Sequence, residues 1–135
     1  MWWLNGKFAA GVTAVIHNPQ GEVLLLEHAF RRRYPWALPG GWIGRREPLE
    51  AAIVRELKEE TGLDVAVSRL LTARTFPTNR LDVVFLCRLV GDAAQIRGSA
   101  ETPRWQWCTP DRFPENVDPY SVELVRLAAQ PPSAP

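Results

Sequence analysis

Apolar residues along this chain follow two rhythms, and the change between them marks out the elements. Residues Phe8–His17 (FAAGVTAVIH) are apolar and β-branched and predict a strand. Asn18-Pro19-Gln20-Gly21 predicts a turn, because Pro presets φ and Gly accepts a positive φ. Glu22–His28 (EVLLLEH) predicts a second strand, and the short turn would join the two as a hairpin. Trp36–Gly41 (WALPGG) starts extended and ends in a Pro-Gly-Gly break. Asp64–Thr75 predicts a strand with a bend, Leu81–Val90 a strong strand ending at a Gly-Asp turn, and Arg104–Cys108 another strand.

From Pro48 the spacing becomes helical. Proline suits a first turn, which does not need its missing N–H, and the pattern runs to Thr61 with Gly62 as a natural stop. Asp118 as N-cap and Pro119 at the first helical position open a final helix to about Ala129. The closing Pro-Pro-Ser-Ala-Pro, residues 131–135, is expected to be a flexible tail. No repeat or linker divides the rest, so residues 1–130 are expected to form one domain. Strands flanking a central helix, with a second helix at the end, predict a mixed-sheet α+β or sandwich fold rather than regular βαβ alternation.

Bulk properties narrow the function by exclusion. Hydrophobic residues make up 46% of 135, enough for a real core. Sixteen basic and fifteen acidic residues give a net charge of +1. That balance argues against an extended nucleic-acid track or a membrane surface as partner. No apolar run approaches the roughly 18 to 20 residues that span a bilayer. Lys7 is the only basic residue before Phe8–Ile16, and no clear cleavage site follows, so no signal peptide is expected. Cys87 and Cys108 lack metal-ligand spacing. One disulfide between them is unforced, and a reducing cytoplasm is the simpler expectation.

The chemistry concentrates in Gly41–Leu63, GWIGRREPLEAAIVRELKEETGL. Glu56, Glu59 and Glu60 are spaced i, i+3, i+4 and share one helix face, beside an apolar arc of Ile53, Val54 and Leu57. Like charges at that spacing repel. An apolar wall strengthens the repulsion. Glu59 and Glu60 also lie at the unfavourable end of the helix dipole. A bound divalent cation would reverse all three effects, and an all-oxygen donor set favours Mg²⁺ or Mn²⁺. Taken alone, the three glutamates also suit an ordinary solvated acidic face.

The full segment goes further. It matches GX5EX7REUXEEXGU, with U a bulky apolar residue, at every fixed position: Gly41, Glu47, Arg55, Glu56, Leu57, Glu59, Glu60, Gly62 and Leu63. A chance match at one start point is on the order of one in 10⁸, so coincidence is set aside. The segment resembles the Nudix box, and the looser resemblance covers most of the chain, including the Trp36–Gly41 lead-in. It implies the Nudix fold, a mixed sheet sandwiched between helices (an α/β/α sandwich), and hydrolysis of a phosphoanhydride bond in a nucleoside-diphosphate-linked compound. It implies metal binding by Glu56, Glu59 and Glu60 with the Gly40 carbonyl. Arg55 and Glu47 would act as an orienting ion pair that braces the loop, without direct participation in the chemistry.

Glu56 or an outside glutamate would be the base, and Glu101 is the candidate for that base or a fourth ligand. It precedes the Trp105–Trp107 strand, as acids do in several relatives. Arg104 departs from the family pattern, near where many members carry another acid. In the loop before the box, Arg31 or Arg33 is expected to grip a phosphate. Gly41 would allow close approach of substrate. The tryptophans Trp36, Trp42, Trp105 and Trp107 are expected mostly in the core, with Trp2 and Trp3 able to cover a dimer partner. His28 is expected to be structural rather than a titrating group of the cleft. A nucleoside di- or triphosphate is the expected small-molecule substrate, for a monomer or homodimer. ADP-ribose or another nucleotide sugar comes second, with Pro77 a weak pointer to it. Dinucleoside polyphosphates or capped RNA come third. A non-catalytic nucleotide-binding module and a metal-stabilised structural protein are the readings from other classes.

Overall fold

A computed structural model describes residues 7–132, so the expectations for Trp2, Trp3 and the last three tail residues fall outside the described residues. The elements run β1 (Ala9–His17), β2 (Val23–Glu27), β3 (Trp36–Ala37), β4 (Gly40–Trp42), α1 (Leu49–Thr61), β5 (Val65–Phe76), β6 (Arg80–Leu89), β7 (Arg104–Cys108) and α2 (Pro119–Ala129). All seven strands among the described residues join one sheet. β1 is central: it runs parallel to β6 from Ala9↔Arg80 to His17↔Arg88, and antiparallel to β4 on its other side. β5 closes one edge against β6, and β7 pairs with β2.

Period-two alternation places a helix on each face. Val12, Ala14 and Ile16 of β1 pack with Leu24, Leu26, Val83 and Phe85 against Ile53 and Leu57 of α1. The intervening Val15, Leu25 and Val84 pack against Leu124 and Val125 of α2. The sheet therefore has two apolar faces and a helix on each, the α/β/α arrangement expected. Cys87 and Cys108 are both free and buried, and they belong to opposite faces.

The ends of α1 follow local chemistry. Pro48 is the N-cap and helix begins at Leu49, one residue later than its proline predicts. Gly62 takes φ 78°, and its N–H donates to the Lys58 carbonyl at 3.0 Å. Asp118 caps α2 by accepting from the Ser121 amide at 3.2 Å.

Three local expectations are corrected. Gly40–Gly41 is not a break: it forms β4, with Thr13↔Gly40 and Val12↔Gly41 in register. The two residues lack side chains because they lie against other groups, not because the chain turns there. A β-carbon on Gly40 would fall 2.2 Å from the Val12 carbonyl oxygen. The β1–β2 hairpin is reduced to one pair, His17↔Val23, since β4 takes the place beside the first half of β1. Val54 points outward, 37% exposed, while Ala52, Ile53 and Leu57 carry the buried stripe. The bend expected in β5 appears as two register shifts, at Val67/Arg69 and Leu70/Thr72. No helix among the described residues is long and apolar enough to cross a membrane.

Candidate active site

Helix α1 carries Arg55, Glu56, Glu59 and Glu60, and the loop before it carries Glu47. Arg55 grips Glu47 in a two-pronged pair, Nε to Oε2 at 2.6 Å and Nη2 to Oε1 at 2.8 Å. The Gly44 amide donates to the same carboxylate at 3.0 Å. The Arg55 hydrogen bond first, then the Gly44 amide, hold Glu47 down to a pKa of about 2. Charge-assisted bidentate pairing fixes geometry as well as charge, so the loop is tied to the helix at Glu47. Arg55 does more than the ion pair read from the sequence. Its Nη1 also donates to Glu56 Oε1 at 3.0 Å and Glu59 Oε2 at 3.1 Å. One guanidinium thus braces three carboxylates.

Glu56 lies against β4. A β-carbon on Gly41 would sit 2.2 Å from Glu56 Oε2, so glycine is what lets that carboxylate rest on the strand. Glu60 is half-buried. Burial, then the Glu56 charge, push its pKa up to about 7, and the Gly40 backbone hydrogen bond opposes them. Glu101 adds to the rise and Arg31 works against it, so both charges reach Glu60 from outside the helix. The Ala29 amide donates to the Glu101 carbonyl at 2.8 Å, which fastens the Glu101 loop to the segment leading to Arg31. Glu59 is at the outer end, with its side chain 61% exposed.

Gly40 contributes its backbone. The Ala14 amide donates to Pro39 and the Ile43 amide to Ala10. In an antiparallel ladder such bonds alternate, so the Gly40 N–H and C=O both point away from β1. The same edge of Gly40 that approaches Glu60 therefore also offers a carbonyl oxygen.

These groups suit a hard divalent cation. The donors are carboxylates and a carbonyl, one carboxylate is half-buried among like charges, and the strand carries glycine where a side chain would fill the space. Among the described residues no three acidic, histidine or cysteine side chains are drawn round one point in advance. Arg55 instead holds one oxygen each of Glu56 and Glu59 and leaves their second oxygens uncommitted.

A cleft of about 510 Å³ adjoins this helix, with Gly40 and Gly41 at the boundary between the two. Arg31, His28 and Trp42 line it, and on the α2 side so do Arg80, Asp82 and Tyr120. Arg31 is therefore shared between cleft and carboxylates. Arg33 is not among the lining residues and lies over the Tyr34 ring at 5.3 Å. His28 lines the wall, and burial first, then Arg31, lower its pKa to about 4. Of the tryptophans, Trp107 packs against the α1-side core, whereas Trp42 is 58% exposed at the cleft. Arg104 is ion-paired with Glu27 and does not extend the acidic cluster.

The sequence pattern did not single out Phe76, Arg80, Asp82 or Tyr120. Asp82 is 4% exposed and accepts from Thr13 Oγ1 at 2.8 Å and from the Tyr120 hydroxyl at 2.7 Å. The available signal was a carboxylate placed inside the apolar run of β6, where an aspartate is costly without partners.

Comparison with known proteins bears on the family and the fold. The NUDIX domain family model matches residues 7–128. A human 8-oxo-dGDP phosphatase is 33% identical over 123 residues, covering 88% of this chain and 38% of its own length. An RNA pyrophosphohydrolase from Erythrobacter litoralis is 28% identical, covering 94% of this chain and 90% of its own. The crystal structure of a MutT protein from Methanosarcina mazei superposes with a TM-score of 0.73 at 25% identity, over 93% of this chain and 96% of that one. The chain belongs to the Nudix hydrolase family.

Proposed function

We propose that this chain hydrolyses a phosphoanhydride bond in a nucleoside di- or triphosphate, with Mg²⁺ or Mn²⁺ as cofactor. The observation that carries the proposal is the enclosed Glu60 carboxylate. It faces Glu56 and Glu101, and it lies across Gly40 and Gly41 from a cleft of nucleotide size. Glu56, Glu59, Glu60 and the Gly40 carbonyl would hold the cation, with Glu101 as a further ligand or outside base. When bound, the cation would neutralise phosphate oxygens and acidify a water.

The chain's own groups supply the rest. Arg31 at the cleft mouth offers a planar, permanently charged grip for a phosphate. A carboxylate of the helix or Glu101 takes the proton from the attacking water. Arg55 and Glu47 hold the helix and loop rigid, and positioning is most of what phosphoryl transfer asks of a protein. Burial of Glu60 beside other acids favours a cation there over plain solvation. The intact carboxylate set supports an enzyme over a binding module that has lost turnover. Pro77, the pointer to a nucleotide sugar, is an exposed turn residue after β5.

The test is a panel of nucleotides, oxidised nucleotides, nucleotide sugars, ADP-ribose and dinucleoside polyphosphates. Each is run with Mg²⁺, with Mn²⁺ and with chelator, and products are identified by mass. Chelator-sensitive cleavage of nucleoside di- or triphosphates is expected. Folded, metal-binding protein that cleaves nothing would overturn the proposal.

A further inference from the structure

Two buried side-chain nitrogens among the described residues have no hydrogen-bond partner, His28 Nε2 and Arg80 Nε. Both residues line the same cleft. Arg80 is the more informative. Its guanidinium lies 4.2 Å above the centre of the Phe76 ring, its cross-strand neighbour at the β5–β6 turn. No carboxylate or carbonyl among the described residues pairs with it, although arginine normally finds one when enclosed. The Phe76 ring meets Tyr120 edge-on at 5.3 Å, and Tyr120 in turn donates to Asp82. Arg80 and Asp82 are two apart on β6 and share a face of the sheet. The cleft thus holds a guanidinium whose buried Nε has no acceptor, beside an aspartate fixed by two hydroxyl donors.

The Asp82 carboxylate has about four lone-pair sites, and Thr13 and Tyr120 use two. One site on each oxygen remains. No Asn or Gln is among the described residues lining the cleft. Amide side chains are the ones that read adenine, by donating and accepting together, whereas arginine reads the carbonyl and N7 edge of guanine. A carboxylate accepts from paired N–H groups, which the guanine Watson–Crick edge supplies and adenine does not.

We propose that Arg80 and Asp82 form a base-selecting pair, and that the nucleotide taken by this cleft carries an oxopurine of the guanine type. The ring carbonyl faces Arg80, and the adjacent ring N–H and amino group face Asp82. Trp42, whose ring spans Gly11, and the Phe76–Tyr120 pair supply apolar walls. This rests on the nucleotide reading above and adds the identity of the base.

The experiment is calorimetric binding of GMP, IMP and AMP with Mg²⁺, using monophosphates so that turnover does not interfere. GMP is expected to bind about 10- to 100-fold more tightly than AMP, the range for one well-formed bidentate contact. IMP, without the amino group, falls between them. Arg80→Met keeps length and apolar contact with Phe76, and it should cut the GMP-to-AMP ratio several-fold, Asp82 keeping the remainder, while leaving AMP affinity nearly unchanged. A merely structural Arg80 would shift both ligands alike. Equal or inverted affinities in the native protein overturn the proposal, as does an Arg80→Met variant that keeps the full ratio. If the variant does not fold, the native ranking decides alone. Nucleotide cleavage without base preference overturns only the base-selecting pair, whereas no nucleotide binding or cleavage overturns the proposed function as well.

Discussion

Gly41 and Glu56 occupy space that only a glycine permits: a β-carbon at 41 would come within 2.2 Å of the Glu56 carboxylate oxygen. Gly41→Ala must therefore push the Glu56 side chain off the strand while leaving both elements in place. A misplacement on the order of 1 Å in such a group costs about 10²-fold in rate. Steady-state kinetics should show that loss in kcat, with a melting temperature close to the native value. Unchanged kcat would mean that Glu56 has no fixed task at β4.

Glu60→Gln should separate activity from stability. The half-buried carboxylate is crowded by Glu56 and Glu101, so a neutral amide relieves repulsion when no cation is present. In chelator the variant should melt no lower than the native protein. With Mg²⁺ its turnover should fall on the order of 10²- to 10³-fold, as when a principal electrostatic group is removed. Adding Mg²⁺ should raise the native melting temperature and raise that of the variant much less.

Arg55 touches Glu47, Glu56 and Glu59, so Arg55→Ala should lower both stability and activity. The rate loss should be on the order of 10- to 100-fold, typical of groups that orient ligands from behind. Arg55→Lys should rescue little, because an ammonium cannot reproduce the two-pronged grip. Full rescue by lysine would show that charge alone matters there.

The position of His28 gives a pH prediction. Burial and Arg31 lower its pKa to about 4, from 6.5. The fold favours the neutral ring, so this contribution to stability is complete above pH 6.5 and is lost as pH falls through 4. With some solvation remaining, the contribution is about 2 kcal/mol. Chemical denaturation of the native protein and His28→Asn at pH 7 and pH 4.5 should show the native protein losing more. An equal loss in both would place the titration elsewhere.

How much of the site was legible depends on where its residues lie in the chain. Glu47, Arg55, Glu56 and Glu60 fall within 14 consecutive positions, and helical spacing alone gathers the last three. Arg31 was legible only as one of two candidates, since loop geometry decides which arginine meets the cleft. Asp82, Arg80 and Tyr120 were not legible, because β6 and α2 meet only through tertiary packing. The Gly40–Gly41 pair misled for a physical reason. Glycine marks both a turn and a close approach, and only the pairing with β1, some 28 residues earlier in register, distinguishes them.

Val12 and Thr13 are neighbours on β1, yet Val12 packs toward α1 while Thr13 hydrogen-bonds Asp82 on the α2 side. One peptide bond thus separates the layer that carries the carboxylates from the layer that meets the base. Substitutions on the second layer can retune which molecule is accepted without disturbing the helix that acts on it. A scaffold divided in this way is open to change of diet under drift, because altering its appetite does not require rebuilding its teeth.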